Sequence, residues 1–112
     1  MKPQKNKFID SQVASSDFTS NSIEIEPDSF VGIQVDYTTA NATGTIQIQV
    51  QLDDSSTWNV LTDLSTALSS SGGSEIFDVA CSSFYKARVF IDVTAGTLTI
   101  NGWYLKGSED AR

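Results

Sequence analysis

The sequence predicts an all-β protein, an antiparallel β-sandwich of jelly-roll type with about eight strands. Three observations carry the prediction. Residues 45–52 alternate strictly, with Ile46, Ile48, Val50 and Leu52 on one side and Thr45, Gln47, Gln49 and Gln51 on the other, the pattern of a strand with one buried and one wet face. Similar short segments recur along the chain, separated by turn-forming Gly, Asn, Asp, Ser and Pro at about 8–12-residue intervals. No stretch carries convincing helical periodicity. An up-and-down barrel is the alternative arrangement, and no repeat at solenoid or propeller spacing is present.

Taken in order, residues 8–13 form a weak strand or extended arm, and residues 15–21 a polar linker interrupted by Phe18. Residues 22–26 form a short strand with Ile23 and Ile25 on one side, stopped by Pro27 and Asp28 because proline cannot donate to a ladder. Residues 30–38 are a strand with Val31, Ile33, Val35 and Tyr37 inward. The small, polar loop 39–44 should join it to residues 45–52 as a hairpin, pairing Tyr37 with Ile46, Val35 with Ile48 and Ile33 with Val50, so that both buried faces coincide.

Residues 53–56 read as a turn from which residues 57–61 return, with Trp58 and Val60 in phase with the buried Leu52 and Val50. Truncating Trp58 to Ala should then cost about 3–5 kcal/mol. Residues 63–74 read as a Ser/Gly-rich flexible loop around Leu64, Ala67 and Leu68, with room for one helical turn. A short strand over 75–79 and a last hairpin of 84–93 with 98–106 complete the set. The expected division is an N-terminal arm or first strand over 1–20, the β-sandwich over 21–107 and a C-terminal tail over 108–112.

A chain of 112 residues makes one domain with a single core. Its 39% apolar content argues against wholesale disorder, and no apolar run approaches the roughly 20 residues of a membrane helix, so no membrane partner is expected. A net charge of −7 opposes the phosphate-neutralising surface that nucleic acid requires. Lys2, Lys5 and Lys7 make a basic start on an acidic body, read either as a docking arm or as an aid to solubility. Phe8, Ile9, Asp10, Ser11 and Gln12 stand where the apolar core of a secretion signal would lie, so none is expected. The single Cys81 cannot form an internal disulfide; it reads as a small buried residue, consistent with synthesis in a reducing cytosol.

Catalytic chemistry is poorly supplied. The chain has no histidine, which removes the commonest general base and any Ser-His or Cys-His pair. The carboxylates Asp53 and Asp54, or Glu24 and Glu26, sit where solvated polar residues belong. Asp53, Asp54 and Asp63 do not match the spacing of a calcium loop. Gly72 and Gly73 lead into Ser74 and Glu75, not a lysine and a helix start. The expectation is a protein that is not an enzyme and has no cofactor and no metal.

The last hairpin supplies the best candidate surface. Pairing Val93 with Leu98 and Ile91 with Ile100 buries those residues with Val89 and leaves Arg88, Phe90, Trp103 and Leu105 on the opposite face, with Arg88 across from Trp103. Aromatic residues with arginine are enriched at interfaces. Two other readings are open: that the N-terminal arm covers this face, or that a bulge at Gly102 turns Trp103 inward.

The run Ala42, Thr43, Gly44, Thr45 to Gln51, then Asp53 to Trp58, Tyr85-Lys86-Ala87-Arg88-Val89 and Ala95-Gly96-Thr97-Leu98-Thr99-Ile100 resembles a group of small β-sandwich structural proteins of tailed bacteriophages. Their pattern is a Gly-Thr strand, an Asp-Gly-x-x-Trp turn, a Tyr-x-x-Arg-Val strand and a closing Gly-Thr hairpin; here Asp54-Ser55 stands in place of Asp-Gly. The match spans about residues 30–106. The resemblance implies a virion structural protein, a head decoration or cement protein made in the host cytoplasm, whose partner is the major capsid protein or other virion proteins. It also implies a homo-oligomer, a trimer being favoured, assembled through Phe90, Trp103 and Leu105. A carbohydrate-binding module stacking sugars on Trp103, Tyr104 or Tyr85, and a tail or receptor-binding component, are the alternatives. Phe8 and Ile9, on an arm with too little apolar surface to order alone, should be mobile until they dock on a neighbour.

Overall fold

The computed structural model describes residues 5–25, 29–39, 41–51, 57–81 and 86–108. These form nine strands: β1 (Lys5–Ala14), β2 (Phe18–Thr19), β3 (Ile23–Glu24), β4 (Ser29–Thr39), β5 (Thr43–Gln51), β6 (Asn59–Ala67), β7 (Gly73–Cys81), β8 (Lys86–Ala95) and β9 (Leu98–Ser108). Sheet A has the order β1-β9-β4-β7; sheet B has the order β2-β8-β5-β6, with β3 also pairing β8. All pairings are antiparallel. With β2 and β3 taken as one interrupted strand, this is a jelly roll. Ile33, Val35 and Ile100 of sheet A face Ile46, Ile48, Val89 and Ile91 of sheet B across a fully closed core.

The expected hairpin of β4 with β5 does not exist. β4 pairs β7 and β9, whereas β5 pairs β6 and β8, so the chain changes sheets between Thr39 and Thr43. Two strands with fully apolar inner faces can meet side by side or across the sandwich, and alternation alone is satisfied by both. The last hairpin is corrected for the same reason: β8 lies in sheet B and β9 in sheet A.

The two crossings between sheets lock together at one end of the sandwich. Gly96, at φ +81°, lies against Ala42, where a Cβ would stand 2.6 Å from the Ala42 Cα. Thr39 Oγ1 accepts from the Ala42 N–H at 2.7 Å and donates to the Thr97 carbonyl at 2.9 Å. Satisfying these polar groups is what lets Ala42 be fully buried at a chain crossing.

Three further expectations change. Residues 63–67 are not loop but the second half of β6, pairing Ser65 with Gln47 and Ala67 with Thr45 beyond a bulge, while Leu64 packs on the core. Val50 pairs with Asn59, which sets β6 one residue out of the expected phase and turns Trp58 and Val60 outward; Val60 is 40% exposed. Lys5–Ala14 is not a mobile arm but an edge strand on β9, bulged around Ser11, where φ is +50° and the N–H donates to Asn101 Oδ1 at 2.9 Å. Pro27 with Asp28, the turn over 53–56, Leu52, Phe84, Tyr85, the Cys81 side chain and the tail lie outside the described residues.

Candidate functional site: the two outer sheet faces

Alternation along β9 puts Leu98, Ile100 and Gly102 inward and Trp103 and Leu105 outward. Ladder registry then sets rows across the outside of sheet A. One row runs Lys7, Trp103, Gln34, Ile76; the next runs Lys5, Leu105, Gly32, Asp78. The Lys5 ammonium lies 4.5 Å from the indole centre of Trp103 and that of Lys7 5.4 Å, a pair of cation–π contacts over one ring. Lys7 also pairs with Asp10 at 3.0 Å, and this hydrogen bond holds the Asp10 carboxyl below its ordinary value.

Gly32, lacking a side chain in the middle of this face, leaves a depression of about 160 Å³ lined by Lys5, Gln34, Ile76, Trp103 and Leu105. A Cβ there would meet nothing nearer than the Leu105 carbonyl oxygen at 4.0 Å. Ile76 on the edge strand β7 is 74% exposed. Charge is divided along the rows: lysines stand on β1, and Asp36, which accepts hydrogen bonds from Ser74 and Gln34 that lower its pKa, stands toward β7.

The outside of sheet B is different. Arg88 lies 4.0 Å from the ring centre of Trp58 and donates through Nε to Gln49 Oε1 at 2.7 Å. Phe90 pairs with Gln47 and Thr19 in the next row. The single face expected to hold Arg88, Phe90, Trp103 and Leu105 is therefore divided between opposite sides of the molecule, and Arg88 stacks on Trp58, not on Trp103. Ile9, 3% exposed, is core packed over Gly102, and Phe8 makes an edge-on contact with Tyr104 at 5.6 Å. Sequence reasoning missed Ile76 and Gly32; adjacent Ile76 and Phe77 in a strand were the signal, since one of the two has to point outward.

Two predictions arise here. Truncating half-buried Trp58 to Ala should cost about 1–2 kcal/mol, mainly the lost guanidinium stacking and partial burial, in a urea titration; a loss of 3 kcal/mol or more would return the indole to the core. The second concerns Asp92, whose carboxyl hydrogen-bonds Asp17 while Asp17 Oδ1 accepts from the Val93 N–H at 3.1 Å. That hydrogen bond, then desolvation and the like charge of Asp17, raise the Asp92 pKa above its ordinary 3.8. A raised folded-state pKa means stability is fully present below the unfolded value and lost as pH rises through the folded one. Asp92→Asn should therefore raise Tm near pH 7 and give no gain near pH 3; a loss at pH 7 would contradict this.

No protein-family profile matches the chain, and no curated protein matches it in sequence. Among solved structures, the SPBc2 prophage-derived protein YomS aligns over 96% of this chain and 96% of its own, with TM-score 0.64 at 17% identity. The N-terminal cellulose-binding domain of Cellulomonas fimi β-1,4-glucanase C aligns over 97% of this chain and 80% of that one, with TM-score 0.53 at 13% identity. PirA aligns over 94% of each chain, with TM-score 0.51 at 16% identity. The chain thus shares its β-sandwich, end to end, with a phage-derived protein, and at these identities the likeness is one of fold.

Proposed function

We propose that the chain is a structural protein of a tailed-bacteriophage particle, a capsid-associated decoration or cement protein that works by binding and without catalysis. The observation that carries this is the outer face of sheet A, where the exposed Ile76 and the half-buried Trp103 and Leu105 surround the Gly32 depression on a four-stranded sheet. Apolar side chains gathered around a notch and rimmed by charge make a protein-contact surface. The sequence resemblance to phage structural proteins and the shared fold of a prophage-derived protein support the setting. The partners in this reading are the major capsid protein or other virion proteins, together with further copies of the chain.

A glycan-binding role fits the face less well, because the two lysine ammoniums lie over the Trp103 ring that a sugar would stack on. Mass spectrometry and cryo-electron microscopy of purified particles test the proposal. The chain is expected in stoichiometric amount at a symmetric site on the head and is expected to be lost from particles carrying Leu105→Asp. Absence from particles, or density on the tail fibres only, would overturn it, and binding on a glycan array without particle binding would favour the module reading.

A further inference from the structure

We propose that the outer face of sheet A is self-complementary and pairs with the same face of a second copy about a two-fold axis running along the strands between β9 and β4. This rests on reading the face as a contact surface and names its first occupant. Such an axis exchanges β1 with β7 and β9 with β4 while keeping each residue in its own row. In the row Lys5, Leu105, Gly32, Asp78, Leu105 of each copy is carried onto Gly32 of the other, and Lys5 onto Asp78. A side chain that projects thus meets a position with none, and a cation meets a carboxylate, twice in one interface. In the next row Lys7 of each copy is carried onto Ile76 of the other, so that the lysine stem covers the apolar side chain that is 74% exposed in the single chain. An axis across the strands would reverse the rows and break both matches.

The β4–β7 and β4–β9 ladders run without a register shift, which keeps the rows of β9, β4 and β7 in line. Four strands of about nine residues present about 600 Å² per copy, below the standard size, so a reversible dimer is expected. The single face of Phe90, Trp103 and Leu105 expected from the sequence is not formed, since Phe90 lies on the sheet opposite the other two.

Sedimentation equilibrium on the purified full chain, from about 1 to 200 μM, should show a reversible monomer–dimer equilibrium. Gly32→Leu fills the notch from a position open to solvent, so it should leave the circular dichroism unchanged and weaken the dimer at least tenfold. Lys5→Glu should weaken it, and adding Asp78→Lys should restore it. A chain that stays monomeric throughout, a dimer indifferent to Gly32→Leu in a folded variant, or a charge exchange that fails to restore pairing overturns the two-fold. A monomer that still binds particles removes the two-fold and keeps the virion reading; a dimer that never joins particles does the reverse.

Discussion

Removing residues 1–14 is expected to unfold the domain. β1 pairs with β9 along its length, buries Ile9 where a Cβ on Gly102 would stand 2.8 Å from it, and sets Phe8 against Tyr104. Ile9→Ala alone should cost about 2–5 kcal/mol, and the full truncation also exposes the edge of β9 and the flank of the core. Against a typical total of about 5–15 kcal/mol, that leaves little or no stability. Urea unfolding followed by circular dichroism checks both. A truncated chain with a cooperative transition within about 1 kcal/mol of the full chain would show that β1 is dispensable.

Gly44→Ala should be the most damaging single substitution of a small residue. Gly44 sits at φ +150°, in the bulge where β5 shifts register on β8, and a Cβ there would run into the Asp92 carbonyl oxygen. Backbone strain of about 1–3 kcal/mol adds to the displacement of a central ladder, so a loss of at least about 3 kcal/mol is expected. Gly32→Ala is the matched control. It also lies in a strand, but in open space, and should be neutral or stabilise by up to about 1 kcal/mol. Equal effects of the two in thermal denaturation would contradict the placement of both glycines.

The strands were legible in the sequence because Val31, Ile33, Val35 and Tyr37, or Ile46, Ile48 and Val50, alternate against polar neighbours, and burial follows that alternation except at Gln51, expected on the wet face and 4% exposed. Their partners were not. Alternation says that a face is buried, not which strand lies beside it, and in a jelly roll most consecutive strands cross between sheets. The error propagated to the surface: once β8 and β9 were placed side by side, Phe90 and Trp103 fell on one face, whereas the two sheets carry them apart. Trp58 was misplaced by a phase shift of one residue. The lysines of β1 carried their own signal, since Lys5 and Lys7 alternate with Asn6 and precede Phe8 and Ile9, but weak apolar content made the strand resemble an arm. Its burial depends on Gly102 making room for Ile9, a contact between residues far apart in the chain.

Hydroxyl-radical footprinting of the free and the particle-associated chain tests the role of the sheet A face most directly. Trp103, Leu105 and Ile76 should become protected on association while Trp58 and Phe90, on the opposite sheet, keep their reactivity. Protection of Trp58 and Phe90 with no change at Trp103 and Ile76 would contradict it.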